Sequence, residues 1–353
     1  MAMEPEELLR RVQNAEPVRG EAFRKLDLKG ADLSATLFEK CDFASVNLAG
    51  ANLTDSQFVG CRIGNCALDR ARLSGTVFYE SELDGVSVAG ASVQNASWYT
   101  CQLRNVAFTR SRLLFASFNR GVLEGVRFDG AHLEQLVIAN AETGILDFAD
   151  ARLQRSVLLE CDLRRSRFTG ARFVTVVINK SNLAGQQFAG QYFAYTQFSE
   201  ADLTGCDFSG AELVQGNFTG AKLAGATFRS AQAPAAIFLN ADVQEADFSD
   251  AALVQAIWSG VTATKANFQR ANLYQGNFQA ANLSDADLRG TELTYADLSH
   301  ANLQGADLRG ANMFRAKLHQ AQDLGAQFSD RARALGDDPE QLASERWRPA
   351  PRT

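Results

Sequence analysis

The sequence predicts an all-β fold, a four-sided parallel β-helix of about 15 coils closed by short helical caps. Three observations predict it. A large apolar residue recurs every five residues, at numbers ending in 3 or 8, from Phe23 to Leu318 without an insertion. Of the 27 glycines, 21 stand at numbers ending in 0 or 5. The residue before each apolar centre sorts by twenties. Asp207, Asp247, Asn267, Asp287 and Asp307 form a polar column, and Val137, Val157, Val177, Ile237 and Ile257 an apolar one.

A period of five fits neither an α-helix nor a flat strand. On a helix five residues advance the angle by roughly 140° beyond one turn, which scatters the apolar residues round the cylinder. On a strand an odd spacing turns each one to the opposite face. A chain that turns a corner every five residues sends each centre inward. The residue two before each centre is mostly Ala, Ser, Thr, Cys, Gly or Val, as a second and crowded inward position requires. Glycine at the corners tolerates positive φ. From Phe23 to Leu318 there are 60 units, and only Thr143, Ala233 and Ala263 replace a large apolar centre. Four units per coil, with neighbouring strands 4.7–4.9 Å apart, give a rod of roughly 70 Å.

The units ANLQG, ADLRG, ANLSD, ADLTG and GANLT resemble the A(D/N)LXX motif of the pentapeptide-repeat family. The resemblance covers residues 21–320 and implies a right-handed quadrilateral β-helix. Residues 1–20 are expected to form an N-terminal capping helix. In PEELLRRVQNA, Leu8, Leu9 and Val12 would close the first coil. Residues 321–353 are charged and lack the period, and are expected to form a C-terminal cap with a frayed tail.

Stacking by twenties places Phe108, Phe128, Phe148 and their successors to Phe268 in one aromatic ladder. Phe38, Phe58, Phe78, Trp98 and Phe118 begin another, which resumes at Phe198. These aromatics read as core. The six cysteines occupy the small inward position and read as Ala-sized hydrophobes. Cys41 and Cys61 should sit one rung apart, and unpaired buried thiols suit a reducing compartment. Gln186 and Gln191 fall on inward positions, where a bulge or bonds to corner carbonyls would satisfy them. The coils at Thr143 and at Ala233–Pro234–Ala235 are expected to be kinked or widened.

Composition and motifs argue against an enzyme. No phosphate-binding loop, zinc-protease helix or nucleophile elbow occurs. The three histidines, His132, His300 and His319, read as surface residues. Two imidazoles at the last coil do not make a metal site, so neither a metal nor a cofactor is expected. The opening residues carry charge and no apolar run of signal-peptide type, and no stretch is long enough to span a bilayer. A bacterial cytoplasmic location is expected, with signal-peptide-independent export as the alternative.

Function should therefore lie in the faces. Over residues 22–320, the sides beginning at Phe23 and Leu28 carry 8 Lys/Arg with 10 Asp/Glu, and 9 with 10. The sides beginning at Leu33 and Phe38 carry only 6 with 5, and 4 with 5. The Leu33 side presents Leu114, Phe115, Val174, Tyr192, Tyr195, Val214, Tyr274, Tyr295 and Phe314. Arg112, Arg152, Arg155 and Arg172 lie in or beside it. Apolar surface with Tyr and Arg anchors marks a protein interface, filled by a second copy or by a different protein. The resemblance implies two roles. One is a rod-shaped protein-interaction scaffold or adaptor, of the kind that accompanies bacterial secretion systems including type VI. The other is a DNA mimic that binds and protects DNA gyrase against quinolones. About 70 Å of duplex carries about 40 negative charges, whereas no face here is more negative than 8 against 10. The net charge of −6, with no face dominated by Lys and Arg, also argues against nucleic-acid binding.

Overall fold

In a computed structural model describing residues 4–347, every fifth residue turns a corner and every twentieth finds a hydrogen-bonded neighbour. The chain forms two compact units, Met1–Leu183 with Gln191–Gln197, and Ala184–Gly190 with Phe198–Thr353.

In the first unit three sides are parallel sheets of eight, seven and six short strands. Their registers differ by twenty residues, as in Phe38↔Phe58, Phe23↔Phe43 and Leu113↔Leu133. The fourth side runs through single bridges such as Asn47↔Ala67, then through the pair Val126–Arg127 and Leu146–Asp147. The second unit repeats the four sides, mostly as single bridges: Asp202↔Lys222, Asp207↔Thr227, Glu212↔Gln232 and Asn217↔Ile237. The pairings reach from Val18 to Leu335, about 16 coils, one more than the five-residue count gives.

Asp or Asn before a centre favours a turn over a strand. Its side chain accepts the N–H two residues on, as in Ser34→Asp32 (3.1 Å), Ser209→Asp207 (2.8 Å) and Ser249→Asp247 (3.0 Å). This local bond fixes a tight turn. Asn side chains also donate one rung along, Asn52 to Asp32 (2.8 Å) and Asn267 to Asp247 (2.9 Å). Three-residue strands form at many positions that lack Asp and Asn, as at Val77–Tyr79 and Arg112–Leu114, although Lys222, Gln232 and Ile237 keep the turn and Asp42–Ala44 is a strand.

The axis is filled by aromatic ladders. In the first unit Phe38, Phe58, Phe78, Trp98 and Phe118 stack at 4.5–5.2 Å between centroids. Phe108, Phe128, Phe148 and Phe168 stack at 5.2–5.4 Å. The ladders meet edge to face, as at Trp98–Phe108 (5.3 Å, 85°), the arrangement that aligns ring edges with ring faces. The second unit repeats the herringbone from Phe198 and Phe208 to Phe268 and Phe278. All six cysteines are buried and none forms a disulfide among the described residues.

Several sequence expectations need correction. Ala233–Pro234–Ala235 forms a regular coil: Gln215 donates to the Pro234 carbonyl (3.0 Å), Ala233 to Ala252 (2.8 Å) and Ala235 to Val254 (2.8 Å). A missing N–H does no harm there because only the Pro carbonyl is needed. Thr143 does mark an irregular coil. Its hydroxyl accepts from the Asp162 N–H (2.8 Å) and donates to the Asp162 carbonyl (3.0 Å) in place of a backbone rung. The left-handed corner is lost at Ile145 and Arg165, one rung apart. Gln186 and Gln191 are half-buried, not enclosed. His319 is buried, contrary to the surface reading, whereas His132 and His300 are exposed.

At the N-terminus helix α1 (Pro5–Gln13) buries Leu8, with Leu9 and Val12 half-buried. At the other end Gln327–Phe328 pairs with Asp307–Leu308. Helix α2 (Pro339–Arg346) follows and buries no side chain. The expected frayed end, residues 348–353, lies outside the described residues. No helix among the described residues is long and apolar enough to cross a membrane.

Candidate protein-interaction face

From Ser92 to Ala194 the Leu33 side of the first unit is a six-stranded parallel sheet, and no residue before its centres is Asp or Asn. The strands are Ser92–Gln94, Arg112–Leu114, His132–Glu134, Arg152–Gln154, Arg172–Val174 and Tyr192–Ala194, in unbroken register. Register brings Arg112, His132, Arg152, Arg172 and Tyr192 into one outward column. A second column holds Leu114, Glu134, Gln154 and Val174. The Arg172 guanidinium lies over the Tyr192 ring, 4.5 Å from its centroid. Arg155 pairs with Glu134.

The corner column beside this sheet carries Phe115 and Tyr195, each 47% exposed. Both hold positive φ, 53° and 56°. Among the described residues one further Phe or Tyr corner occurs, Tyr295 of the second unit (φ 60°, 44% exposed), at the same place in the twenty-residue repeat. Every other left-handed corner among the described residues is Gly, Ala or a polar residue.

In the second unit the expected residues form a separate cluster. Tyr274 meets Tyr295 edge-on at 6.0 Å, Tyr295 meets Phe314 at 6.0 Å, and Arg333 lies 5.8 Å from the Phe314 centroid. Val214 is half-buried, three rungs from Tyr274 and outside this cluster. The neighbouring Phe38 side carries one stacked exposed pair, Tyr79–Tyr99 (5.8 Å), with Arg120 over Tyr99.

A polar cluster escapes the sequence reading. His300 and His319 each approach one carboxylate oxygen of Glu345 on α2, at 3.3 and 3.1 Å. Two imidazoles and a carboxylate can hold a metal ion, but the hydrogen bonds favour another use. The Asp338 N–H donates to His319 Nδ1 (3.1 Å), so in the neutral ring the proton sits on Nε2 and is donated to Glu345. A metal at Nε2 needs that lone pair free and a proton on Nδ1, where the Asp338 N–H already points. The trio is a clasp for α2. Glu345 comes from a segment with no repeat, so no spacing in the sequence reveals it.

The family profile for pentapeptide repeats matches residues 147–185, 181–220, 211–250, 241–279 and 281–320. A second profile, for a pentapeptide repeat region, matches residues 31–118. No curated protein matches the sequence. Among solved structures, HetL, a pentapeptide repeat protein involved in heterocyst differentiation regulation in Nostoc sp. strain PCC 7120, is 22% identical. That match covers 72% of this chain and 91% of HetL at a TM-score of 0.30. Full-length QnrB1, a plasmid-mediated fluoroquinolone resistance protein, is 15% identical over 52% of this chain and 93% of its own, with a TM-score of 0.31. Neither protein's role is carried over at these values. The two profiles, the five-residue period and the twenty-residue register agree, and the chain belongs to the pentapeptide-repeat family.

Proposed function

We propose that this protein is a non-enzymatic interaction scaffold whose working surface is the Leu33 side. The observation that carries the reading is the aromatic corner column. A left-handed φ is unfavourable for a bulky residue, and water is unfavourable for an exposed ring. Phe115 and Tyr195 combine both in one column of the first unit, and Tyr295 combines both in the second, at positions where the coil accepts Gly, Ala or a polar residue. Local strain and exposed apolar surface together mark a contact surface. An accessory role in a bacterial secretion system accords with such a scaffold. Gyrase protection through DNA mimicry has less support, because no side carries a charge density near that of a duplex.

The test is a tagged pull-down from the native host lysate with wild type and with Phe115, Tyr195, Tyr274 and Tyr295 changed to Glu. Circular dichroism must show that the variant retains the β-helix. A partner held by wild type and lost from the variant is the expected result. A partner retained equally by both rejects the Leu33 side as the working surface.

A further inference from the structure

Counting charge over whole sides hides a local concentration. Within the six-stranded sheet of the first unit, Arg112, Arg152 and Arg172 are exposed, with exposed His132 between the first two. Arg110 stands at the preceding corner. None of these four arginines makes an ion pair among the described residues. Elsewhere on the coil many arginines pair with an acid on the same or the next rung, as Arg19 with Glu39 (2.8 Å), Arg270 with Asp250 (2.7 Å) and Arg309 with Asp307 (2.6 Å). Those left unpaired among the described residues, such as Arg62 and Arg104, do not line up on consecutive rungs of one sheet. On this sheet Glu134 is taken by Arg155. The corner carboxylate Asp150 makes no ion pair among the described residues. Adjacent rungs lie about 4.8 Å apart, and like charges directly opposite are unfavourable in a sheet. The fold does not ask for arginine here, since Asp, Asn, Ser or Gln fills the same position in other coils.

Two shallow depressions follow the column. One, of about 430 Å³, is lined by Arg110, Arg112, His132, Arg152, Gln154 and the Arg155-paired Glu134, and the next, of about 310 Å³, by Arg152, Gln154, Arg172 and Val174. Their walls mix guanidinium groups with apolar ones. Leu114, Val174 and the exposed rings of Phe115 and Tyr195 flank the cations. A phosphate backbone would use the charges and waste the apolar flank. The net charge of −6 would also repel nucleic acid beyond this sheet. An acidic peptide with interspersed apolar residues uses both, because carboxylates pair with the fork of arginine and apolar side chains cover Leu114, Val174 and the rings.

We infer that the sheet bearing Arg112, His132, Arg152 and Arg172 binds an acidic, apolar-interspersed segment of a protein partner. This rests on the scaffold reading and names the chemistry of its partner. The full chain is titrated by fluorescence anisotropy with three labelled probes: a peptide of about 12 residues alternating Glu and Leu, its Lys-for-Glu counterpart, and a single-stranded oligonucleotide of similar charge. The acidic peptide should bind best, and binding should weaken roughly tenfold between about 50 and 300 mM salt. The triple variant Arg112→Glu, Arg152→Glu, Arg172→Glu should bind at least about 30-fold more weakly, while the triple Lys variant retains most affinity and shows that the sheet still folds. Undiminished peptide binding by the Glu variant, absence of peptide binding by wild type, or preference for the oligonucleotide overturns the inference. The pull-down separates the two readings. If the Arg→Glu variant keeps a partner that the aromatic-to-Glu variant loses, the scaffold stands and the acidic-segment inference falls.

Discussion

A corner every five residues makes the left-handed backbone the rule here, and glycine meets only part of the demand. Corners such as Lys40, Asn65, Thr100 and Glu160 hold φ near 50–57° with a Cβ present. Asn and Asp bear this most easily, and β-branched residues least. Thr100 (φ 54°) is exposed, so relief of strain there is not confounded by lost packing. Thr100→Gly should raise stability by about 1 kcal/mol, the αL relief exceeding the added freedom of the unfolded chain. A urea titration followed by circular dichroism checks this, and an unchanged or lower midpoint refutes it. The sequence shows the corners through its glycines, but not that so many other residues share their conformation. The inward centres were legible because a large apolar residue has only one direction to point. Asp and Asn before the centre were legible as a polar column, and the structure shows their side chains accepting the N–H two residues on.

Among the secondary-structure elements, α2 differs from everything before it. It buries no side chain, so polar bonds must hold it. Asp338 caps its first turn by accepting from Glu340 and Gln341 (3.0 Å each), and donates its own N–H to buried His319. Asp337 accepts the backbone and side-chain N–H of Gln320 (2.8 and 2.9 Å). Glu345 accepts from Gln341 (2.9 Å) and from His319. The Gln320 backbone and side chain lower the Asp337 carboxyl below its ordinary value, with smaller help from His319 and Arg346. Gln341 first, then His319 and His300, lower that of Glu345. Carboxyls depressed in the folded state stabilise it above their ordinary range, and that contribution is lost as pH falls through the depressed values. Amide hydrogen exchange should therefore show α2 protected at neutral pH and released below about pH 4, ahead of the coils. His319→Ala, which removes both bonds of the ring, should lower protection of the α2 amides by about tenfold at neutral pH while leaving coils far from it unchanged. Equal protection in wild type and variant would show that α2 is held some other way. This element was poorly legible because its partners lie 17 to 45 residues away and it has no apolar stripe to betray the docked face. Helix α1, which buries Leu8, has such a stripe and was read directly.

For the whole molecule, the period of twenty was legible because each rung copies the last, so sorting by register recovers the four sides. The arginines beside the Leu33 side were legible in the sequence, but averaging charge over each side understated their column, since acids on distant rungs offset it in the sum and cannot pair with it in space. The thiols, in contrast, act by their sum. Burial raises the Cys66 thiol, and pushes Cys101 up to about 11 and Cys161 and Cys206 up to about 12. The neighbouring Cys41 thiol, and burial, raise Cys61. A thiol whose folded pKa exceeds its unfolded value near 8.5 stabilises the fold fully below that value. The contribution is lost as pH climbs to the folded pKa, because the unfolded chain releases its proton first. Each such thiol removes about 1.4 kcal/mol per pH unit within that window, and three titrate together between about 8.5 and 11. Stability should thus be level from about pH 7 to 8 and fall steeply above pH 9. Lysines and tyrosines titrate in the same range, so the decisive comparison is with Cys101→Ala, Cys161→Ala, Cys206→Ala. Alanine is the commonest residue at this inward position, as at Ala71, Ala91 and Ala151, so the triple variant should match wild type within about 2 kcal/mol at pH 7.5. Denaturant midpoints measured up to pH 10.5 should then diverge, with wild type falling more steeply. Parallel curves would show that the buried thiols carry no linkage and that the alkaline loss belongs to the surface.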